Sequence, residues 1–370
     1  MKIIIIEDSS KTWYGGGQKV TTEVARTLKE HYKLILFDCT KNSRFFNESR
    51  ELFSDIFLLK CYGGIKGGEK SSFSIGFKEL LVSFFMFPFN LYSILGFLRK
   101  GSLYQENIII YVATKKGLLF SFFLRMLFGF RYIFHAHSFD DKKSLFYKII
   151  KLPLKYSEKI ICVSDIVNSN INLNHCCTVY NPITVKKNIK PKQIDKRIIV
   201  ASFSSLIKWK GVEYFMQSYD FLANKDKVEY WVFGIGTEKE YLSMFQSPRV
   251  ILKGFVNNVD DLMMNYISIV IVPSVSHEAC PMVPLEAFSY GMPVIATNIG
   301  GQAEIVKDNY VGYHVPVKDP RAIAGKIDFL IENRDIYCQM SNNALEYSKK
   351  FDVKHFREQI LGIFDNLKNN

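Results

Sequence analysis

The sequence predicts an α/β protein made of two doubly wound, Rossmann-like domains facing a cleft. Short apolar runs recur along the chain with helix-length sequence between them, the alternation that builds a parallel sheet covered by helices on both faces. This alternation is interrupted at TVKKNIKPKQIDKR (184–197), a Lys-rich, Pro-containing stretch that reads as a linker, and it then restarts. With 370 residues, 48% of them apolar and 23% charged, the chain is long enough to bury two cores. That composition excludes collagen-like, mucin-like and broadly disordered classes. Ligands of open parallel sheets bind at the carboxyl ends of the strands, so two such domains face a shared cleft.

The elements follow in order. Lys2–Ile6 is a short apolar run bounded by polar residues, hence a buried strand. A long loop leads to Gly15-Gly16-Gly17 and then to the helical stretch QKVTTEVARTLKEH. Strands are expected at Lys33–Phe37, Asn107–Val112, Arg131–His135 and Lys159–Val163. After the linker they are expected at Ile198–Phe203, Tyr230–Phe233, Val250–Leu252, Ile267–Val272 and Pro293–Ala296. The tail from Ala322 to Lys368 reads as helical throughout.

Charge divides the chain. Residues 1–200 carry 31 Lys and Arg against 16 Asp and Glu, and residues 201–370 carry 17 against 20, so the net charge of +12 belongs to the first half. A basic half needs an anionic partner. No RNP, KH, zinc-finger or Arg-rich pattern is present, which leaves an anionic membrane surface ahead of nucleic acid. Two apolar segments support this: the uncharged stretch 80–98, and GLLFSFFLRMLFGF (117–130), which Arg125 interrupts. They read as buried helices of a large core or as helices resting on the membrane, rather than as transmembrane spans. The seven cysteines include no C-x-x-C and read as dispersed thiols of a reducing cytosol. MKIIIIED is too short in its apolar run for a signal peptide, so a cytoplasmic protein is expected.

The densest pattern is VIVPSVSHEACPMVPLEAFSYGMPVIATNIGGQAEIV, from Val270 to Val306. Glu278 and Glu286 have seven residues between them, the first in a loop after a strand, the second in a helix begun near Met282 to Pro284. The free amides of such a helix start favour an anion such as a diphosphate. A carboxylate one turn further in suits a ribose diol. This run resembles the signature of glycosyltransferase family 4: Pro273-Ser274, Glu278, Glu286-Ala287, Gly291-Met292-Pro293-Val294-Ile295-Ala296-Thr297, Gly300-Gly301 and Glu304-Ile305-Val306 stand in the family's order. The resemblance extends over nearly the whole chain. It takes in Val163-Ser164, Val179-Tyr180-Asn181-Pro182, Trp231 to Gly236, Leu252 to Val256 and Gly312 to Val315.

It implies the two-Rossmann fold called GT-B, with an acceptor-binding domain at 1–185 and a nucleotide-sugar-binding domain at 186–349. Residues 350–370 form a helix that crosses back onto the first domain. Glu278 and His137 are the implied catalytic residues, with His135 as the fallback for the latter. Donor binding is implied for Gly16, Gly17, Ser204, Lys208, Lys210, Gly234, Phe255, Val256, Pro281, Met282, Val283 and Glu286. Lys210 matches the family's phosphate-binding lysine. The usual arginine before it is replaced by Ser204 or Ser205, so either Lys208 substitutes or Lys210 and backbone amides hold the phosphates alone.

Two residue groups have alternative readings. Gly15–Gly17 with Asp38 at the end of the second strand resembles a dinucleotide fingerprint, but eight residues separate Ile6 from Gly15, and Val20 occupies the third glycine position. A loop presenting amides to a phosphate fits better. His135 and His137 alternate along a strand end and so are expected on opposite faces, where they cannot share a metal ion. No D-x-D occurs in the chain, and divalent-metal chemistry is not expected.

The expected function is therefore retaining, metal-independent transfer of a sugar from a nucleotide-sugar, UDP favoured, to a lipid-linked (polyprenyl-diphosphate) glycan. That step belongs to bacterial surface polysaccharide synthesis, such as O-antigen or capsule, peripheral on the cytoplasmic face of the inner membrane. No cofactor is expected. The alternatives are a nucleotide-sugar epimerase of similar shape and a catalytically silent sugar-nucleotide-binding partner.

Overall fold

The computed structural model describes residues 1–9, 15–59, 90–92, 94–95, 107–139, 142–194 and 197–369. The chain divides into two compact units, Met1–Tyr180 with Phe356–Asn370, and Asn181–His355.

The first unit holds seven strands: β1 (Lys2–Ile6), β2 (Lys33–Asp38), β3 (Asp55–Leu58), β4 (Ile108–Val112), β5 (Arg131–Ala136), β6 (Lys159–Cys162) and β7 (Cys176–Thr178). They are ordered β3-β2-β1-β4-β5-β6-β7, and every pairing is parallel. In register, Ile4 of β1 lies between Ile35 and Ile110. The central strands are apolar on both faces because helices cover both. Under one face sit Ile3, Ile5, Val24, Leu28, Ile109 and Tyr111. Phe356, Ile360 and Phe364 join them from one side of the last helix, Val353–Asn369. Burial of each such side chain stabilises the unit by roughly 1.5–3 kcal/mol. Arg357 and Asp365 of that helix bond Glu23 and Tyr32, and Arg131 donates to the Leu367 carbonyl at 2.9 Å.

The second unit holds β8 (Ile198–Phe203), β9 (Val228–Phe233), β10 (Val250–Gly254), β11 (Ile267–Val272), β12 (Val294–Thr297) and β13 (Gly312–Val315), ordered β10-β9-β8-β11-β12-β13 and again parallel. Its helical tail is broken at Asn333 and by a turn at 349–352 into Pro320–Glu332, Arg334–Ser348 and Val353–Asn369.

The sequence reading misses β3, β7 and β13, all of them edge strands. An edge strand is paired on one side only, and these are short or alternate with exposed positions, so none presents an apolar run. Helix Lys115–Phe128, expected as a buried core helix or as one resting on a membrane, buries Leu118 and Leu124 but exposes Met126 and Leu127. Most of the 80–98 segment lies outside the described residues. Among the described residues no helix is long and apolar enough to cross a membrane. Cys162, Cys176, Cys177, Cys280 and Cys338 are free thiols, whereas Cys39 is disulfide-bonded, against the expectation of dispersed thiols alone.

Candidate active site

In each sheet the strand order reverses once, between β1 and β4 and between β8 and β11. Loops diverge at such a point and leave a crevice at the carboxyl ends. Most of the site residues named from the sequence lie at or beside these two places.

In the second unit, β8 leads into a single 3-10 turn, Lys208–Lys210, closed by Gly211 at φ +63°. A Cβ on Gly211 would stand 2.2 Å from the Pro273 carbonyl oxygen, so only glycine lets this turn press against the loop after β11. The Val275 N–H donates to the Trp209 carbonyl at 2.9 Å and locks the two loops together. Across that seam Lys210 Nζ donates to Glu278 Oε2 at 2.6 Å, with the side chains only 17% and 11% exposed. Lys210 also lies 4.5 Å from the centroid of the Trp209 ring.

Glu278 is held from several directions. Ser274 donates to its other carboxylate oxygen, and Gln302 accepts from its backbone N–H at 3.2 Å. Thr297 donates to the Ser274 carbonyl at 2.6 Å. Gly301 donates to the Glu278 carbonyl at 2.6 Å, and a Cβ there would fall 2.1 Å from the Ala279 oxygen. Gly300, at φ +62°, is equally confined, against His277. Glu278 is thus one end of a braced loop. Ser274, Thr297 and Gln302 brace it and were not named as site residues from the sequence, although each stands inside the Val270–Val306 run.

The loop ends at Pro281, which precedes the helix Met282–Ser289. Its first amides, of Met282 and Val283, have no acceptor within the helix, and the third position, Pro284, has no N–H to leave unpaired. Pro281 and Pro284 are buried while Met282, Val283 and Glu286 keep some exposure. Asn181 bonds the Cys280 carbonyl at 2.9 Å just before the helix, and burial pushes the Cys280 thiol up to about 12, which keeps it an inert space-filler.

Beside the reversal, the loops after β8, β9 and β10 approach closely. A Cβ on Gly234 would lie 1.8 Å from the Ser204 oxygen, and one on Gly236 would lie 2.2 Å from the Leu206 oxygen. Gly234 N–H donates to the Gly254 carbonyl at 2.8 Å, which places Phe255, 57% exposed, and Val256 at the neighbouring strand end. Ser204 Oγ is buried without a protein partner. Lys208 is exposed and is not brought to Glu278.

In the first unit, Gly16 and Gly17 are not a loop. They form the first turn of the helix Gly16–Lys29, which starts two residues earlier than the sequence suggests. Gly15 N–H is satisfied by the Gln18 side chain at 3.3 Å. Gly17 faces His137, whose Cγ would be 3.6 Å from a Cβ at that position. The histidines are not on opposite faces. β5 ends at Ala136, so His137 has left the strand's alternation and its ring lies 4.2 Å from that of His135. The expected reason against a shared metal therefore fails. However, His135 Nδ1 is occupied by Tyr111 Oη at 2.6 Å, and no third ligand is gathered among the described residues.

Behind the histidines the polar groups run on. Thr21, in the glycine-led helix, donates to the Gly17 carbonyl at 3.2 Å and lies beside both Tyr111 and Glu7, and Glu7 stands at the end of β1. Burial, reinforced by the charge of Asp38, pushes the Glu7 carboxyl up to about 8, so it is protonated at neutral pH. Burial holds His137 down to about 4 and His135 well below its ordinary range, and both Nε2 atoms are sealed from solvent without a partner. Asp38 accepts from the N–H and Oγ of Ser9 and from the Cys39 N–H. That carboxylate is spent on the loop and is not free for a ribose, which removes the dinucleotide reading of Gly15–Gly17.

Residues 185–347, which lie within the second unit, match the family described as Glycosyl transferases group 1. Over 262 residues the chain is 26% identical to the N,N'-diacetylbacillosaminyl-diphospho-undecaprenol alpha-1,3-N-acetylgalactosaminyltransferase of Campylobacter jejuni, covering 69% of this chain and 67% of that one. It is 25% identical over 232 residues to the capsular polysaccharide biosynthesis glycosyltransferase CapM of Staphylococcus aureus, covering 60% of each. The crystal structure of Anabaena HepE in complex with UDP superposes with a TM-score of 0.79 at 17% identity, over 99% of this chain and all of that one. The fold is the GT-B architecture. The chain spans about half the length of the first curated relatives it matches.

Proposed function

We propose that the protein is a glycosyltransferase that moves a sugar from a nucleotide-sugar to a lipid-linked saccharide. The observation that carries this is the Lys210–Glu278 pair at the strand reversal of the second unit, in the unit that also holds the free amides at Met282 and Val283 and the unpartnered Ser204 hydroxyl. The barrier in such a transfer is departure of a nucleoside diphosphate from an oxocarbenium-like centre. In this reading Lys210 and the amides of Met282 and Val283 bear the growing negative charge, a preorganised role that needs no metal. Glu286 holds the ribose, Glu278 the hydroxyls of the donor sugar, and Phe255 and Val256 the base. From the first unit, Gly16 and Gly17 offer amides to phosphate, and His137, kept neutral by burial, acts as a hydrogen-bonding group toward sugar and acceptor. Retention of configuration is proposed through front-face attack assisted by the leaving phosphate, since the family-like motifs supply no separate nucleophilic carboxylate.

The names of the Campylobacter and Staphylococcus relatives, one acting on an undecaprenol-linked substrate and one in capsule synthesis, support a polyprenyl-linked acceptor and bacterial surface polysaccharide. The HepE complex supports UDP as the base-carrying part of the donor. A lipid-linked acceptor together with a nucleotide-sugar donor supports a place on the cytoplasmic face of a membrane.

A thermal-shift screen against UDP-, GDP-, ADP- and dTDP-sugars, each with and without EDTA, tests the donor site. A ligand at about 100 times its dissociation constant adds roughly 2.7 kcal/mol to the folded state. One base class should raise the melting point equally with EDTA, and Glu286→Ala should abolish the rise. A shift that needs a divalent ion would overturn the metal-free mechanism, and no shift from any nucleotide-sugar would overturn the donor site. Incubating the enzyme with donor alone separates the alternatives, because an epimerase converts the donor and a transferase without acceptor does not.

A further inference from the structure

The helix Leu145–Tyr156 turns an apolar stripe outward. Leu145, Ile149, Leu152 and Tyr156 recur every three or four residues and so fall on one face, yet they are between 36% and 63% exposed. The opposite side, with Ile150, Pro153 and Leu154, is the one that packs inward. Lys148, Lys151 and Lys155 are all exposed and lie together on one flank of the stripe. From Lys142 to Ser157 the sequence has five lysines and no acid. The patch continues onto the neighbouring helix Lys115–Phe128, where Met126 and Leu127 are exposed and Phe122 meets the Tyr156 ring at 5.8 Å.

An outward apolar stripe with lysines along it is the pattern of a helix lying in a bilayer interface, where aliphatic tips enter the acyl boundary and ammonium groups stay at the headgroups. A soluble face would carry charge along that line instead. A second copy of the chain is a poorer occupant, because two such faces would oppose like-charged rows. A lipid surface needs no complementary groove, and this convex helix side offers none to a protein partner. We propose that this face, centred on Leu145, Ile149, Leu152 and Tyr156, is where the protein seats on an anionic lipid surface. The inference gives the membrane partner of the preceding reading a named location.

The test uses the full chain and sedimentation with phosphatidylcholine vesicles, with and without 30 mol% (about one lipid in three) phosphatidylglycerol. Wild type should sediment with the anionic vesicles, less so as salt is raised. Replacing all three flank lysines (Lys148→Gln, Lys151→Gln, Lys155→Gln) should weaken that partition by about 100-fold. Leu145→Ser with Leu152→Ser should weaken it at least about tenfold. All five positions are exposed, so the melting points should stay near wild type, and the variants remain readable. The proposal is overturned if wild type ignores anionic vesicles or if both variants bind as wild type does. It is equally overturned if, without lipid, the serine variant turns a dimer into a monomer in sedimentation velocity. The nucleotide-sugar thermal shift is run on the same variants: its absence with vesicle binding intact sinks the donor reading and leaves the lipid seat standing.

Discussion

Both sheets reverse their strand order at the centre, and both reversals gather polar side chains, yet the two are built on opposite electrostatics. Around β1 and β4 of the first unit the groups sit on or against the strands, buried except for a partly exposed His137, and are kept neutral: a protonated Glu7, Tyr111, His135 and His137. Around β8 and β11 of the second unit the groups come from loops beyond the strand ends, keep some water, and stay charged as the Lys210–Glu278 pair. A strand interior offers no water to solvate an ion, so neutrality is the cheaper state there. A loop rim allows an ion pair if it is braced, as Ser274, Gln302 and Gly301 brace Glu278. The same topology therefore yields a hydrogen-bonding wall in one unit and an electrostatic site in the other.

The comparison breaks most visibly at the charged end. Glu278→Ala should lower kcat by about 10²–10³-fold, in the range of losing one preorganised transition-state contact. Lys210→Ala should cost about as much, and the double variant little more than either, since the two act as a unit. Steady-state rates with the donor identified by thermal shift decide this, and additive losses would mean that the pair is not a functional unit.

The neutral end predicts a pH signature. Glu7 is protonated in the fold up to about 8 but ionises near 4.5 when unfolded, so its contribution is complete below pH 4.5 and is lost as pH rises toward 8. Between pH 4.5 and 7 that loss is about 3 kcal/mol. The histidines run the other way: they stay neutral when folded, so stability falls as pH drops from about 6.5 toward 4. Thermal melts across pH should peak near 6 to 7, and Glu7→Gln should flatten the alkaline side. An unchanged alkaline limb would mean that Glu7 is ionised in the fold.

A backbone test sharpens the contrast in bracing. Gly301→Ala forces a Cβ onto the Ala279 oxygen at 2.1 Å and should cost about 1–3 kcal/mol in denaturant unfolding. Gly17→Ala meets His137 only at ordinary contact distance and should cost under about 1 kcal/mol. The smallest effect is expected at Lys208, which is exposed: Lys208→Ala should change the KM for donor less than about threefold. A tenfold rise would show that it replaces the arginine missing from the family pattern.

Much of this was legible in the chain. Central strands such as Ile267–Val272 are continuous apolar runs because both faces are buried. The Val270–Val306 run carries its glycines where loops must touch, so spacing and resemblance picked out Glu278 and the helix at Met282 there, and resemblance picked out Lys210 further upstream. The first-unit site was less legible. Glu7 and Tyr111 look like ordinary ends of apolar strands, and nothing local marks a Glu that will be protonated.

By itself the sequence determined the α/β alternation, the basic first half and the motif that places two glutamates on a loop and a helix. These are local or periodic properties, set by which side chains suit a buried strand, a helix start or a tight turn. Only the tertiary structure decided that His137 leaves its strand to meet His135, that Glu7 is neutral, that Asp38 is consumed by Ser9, and that Lys210 closes on Glu278 across 68 residues. Each of those depends on which strands become neighbours and how much water they exclude, and neither quantity is written in any single stretch of chain.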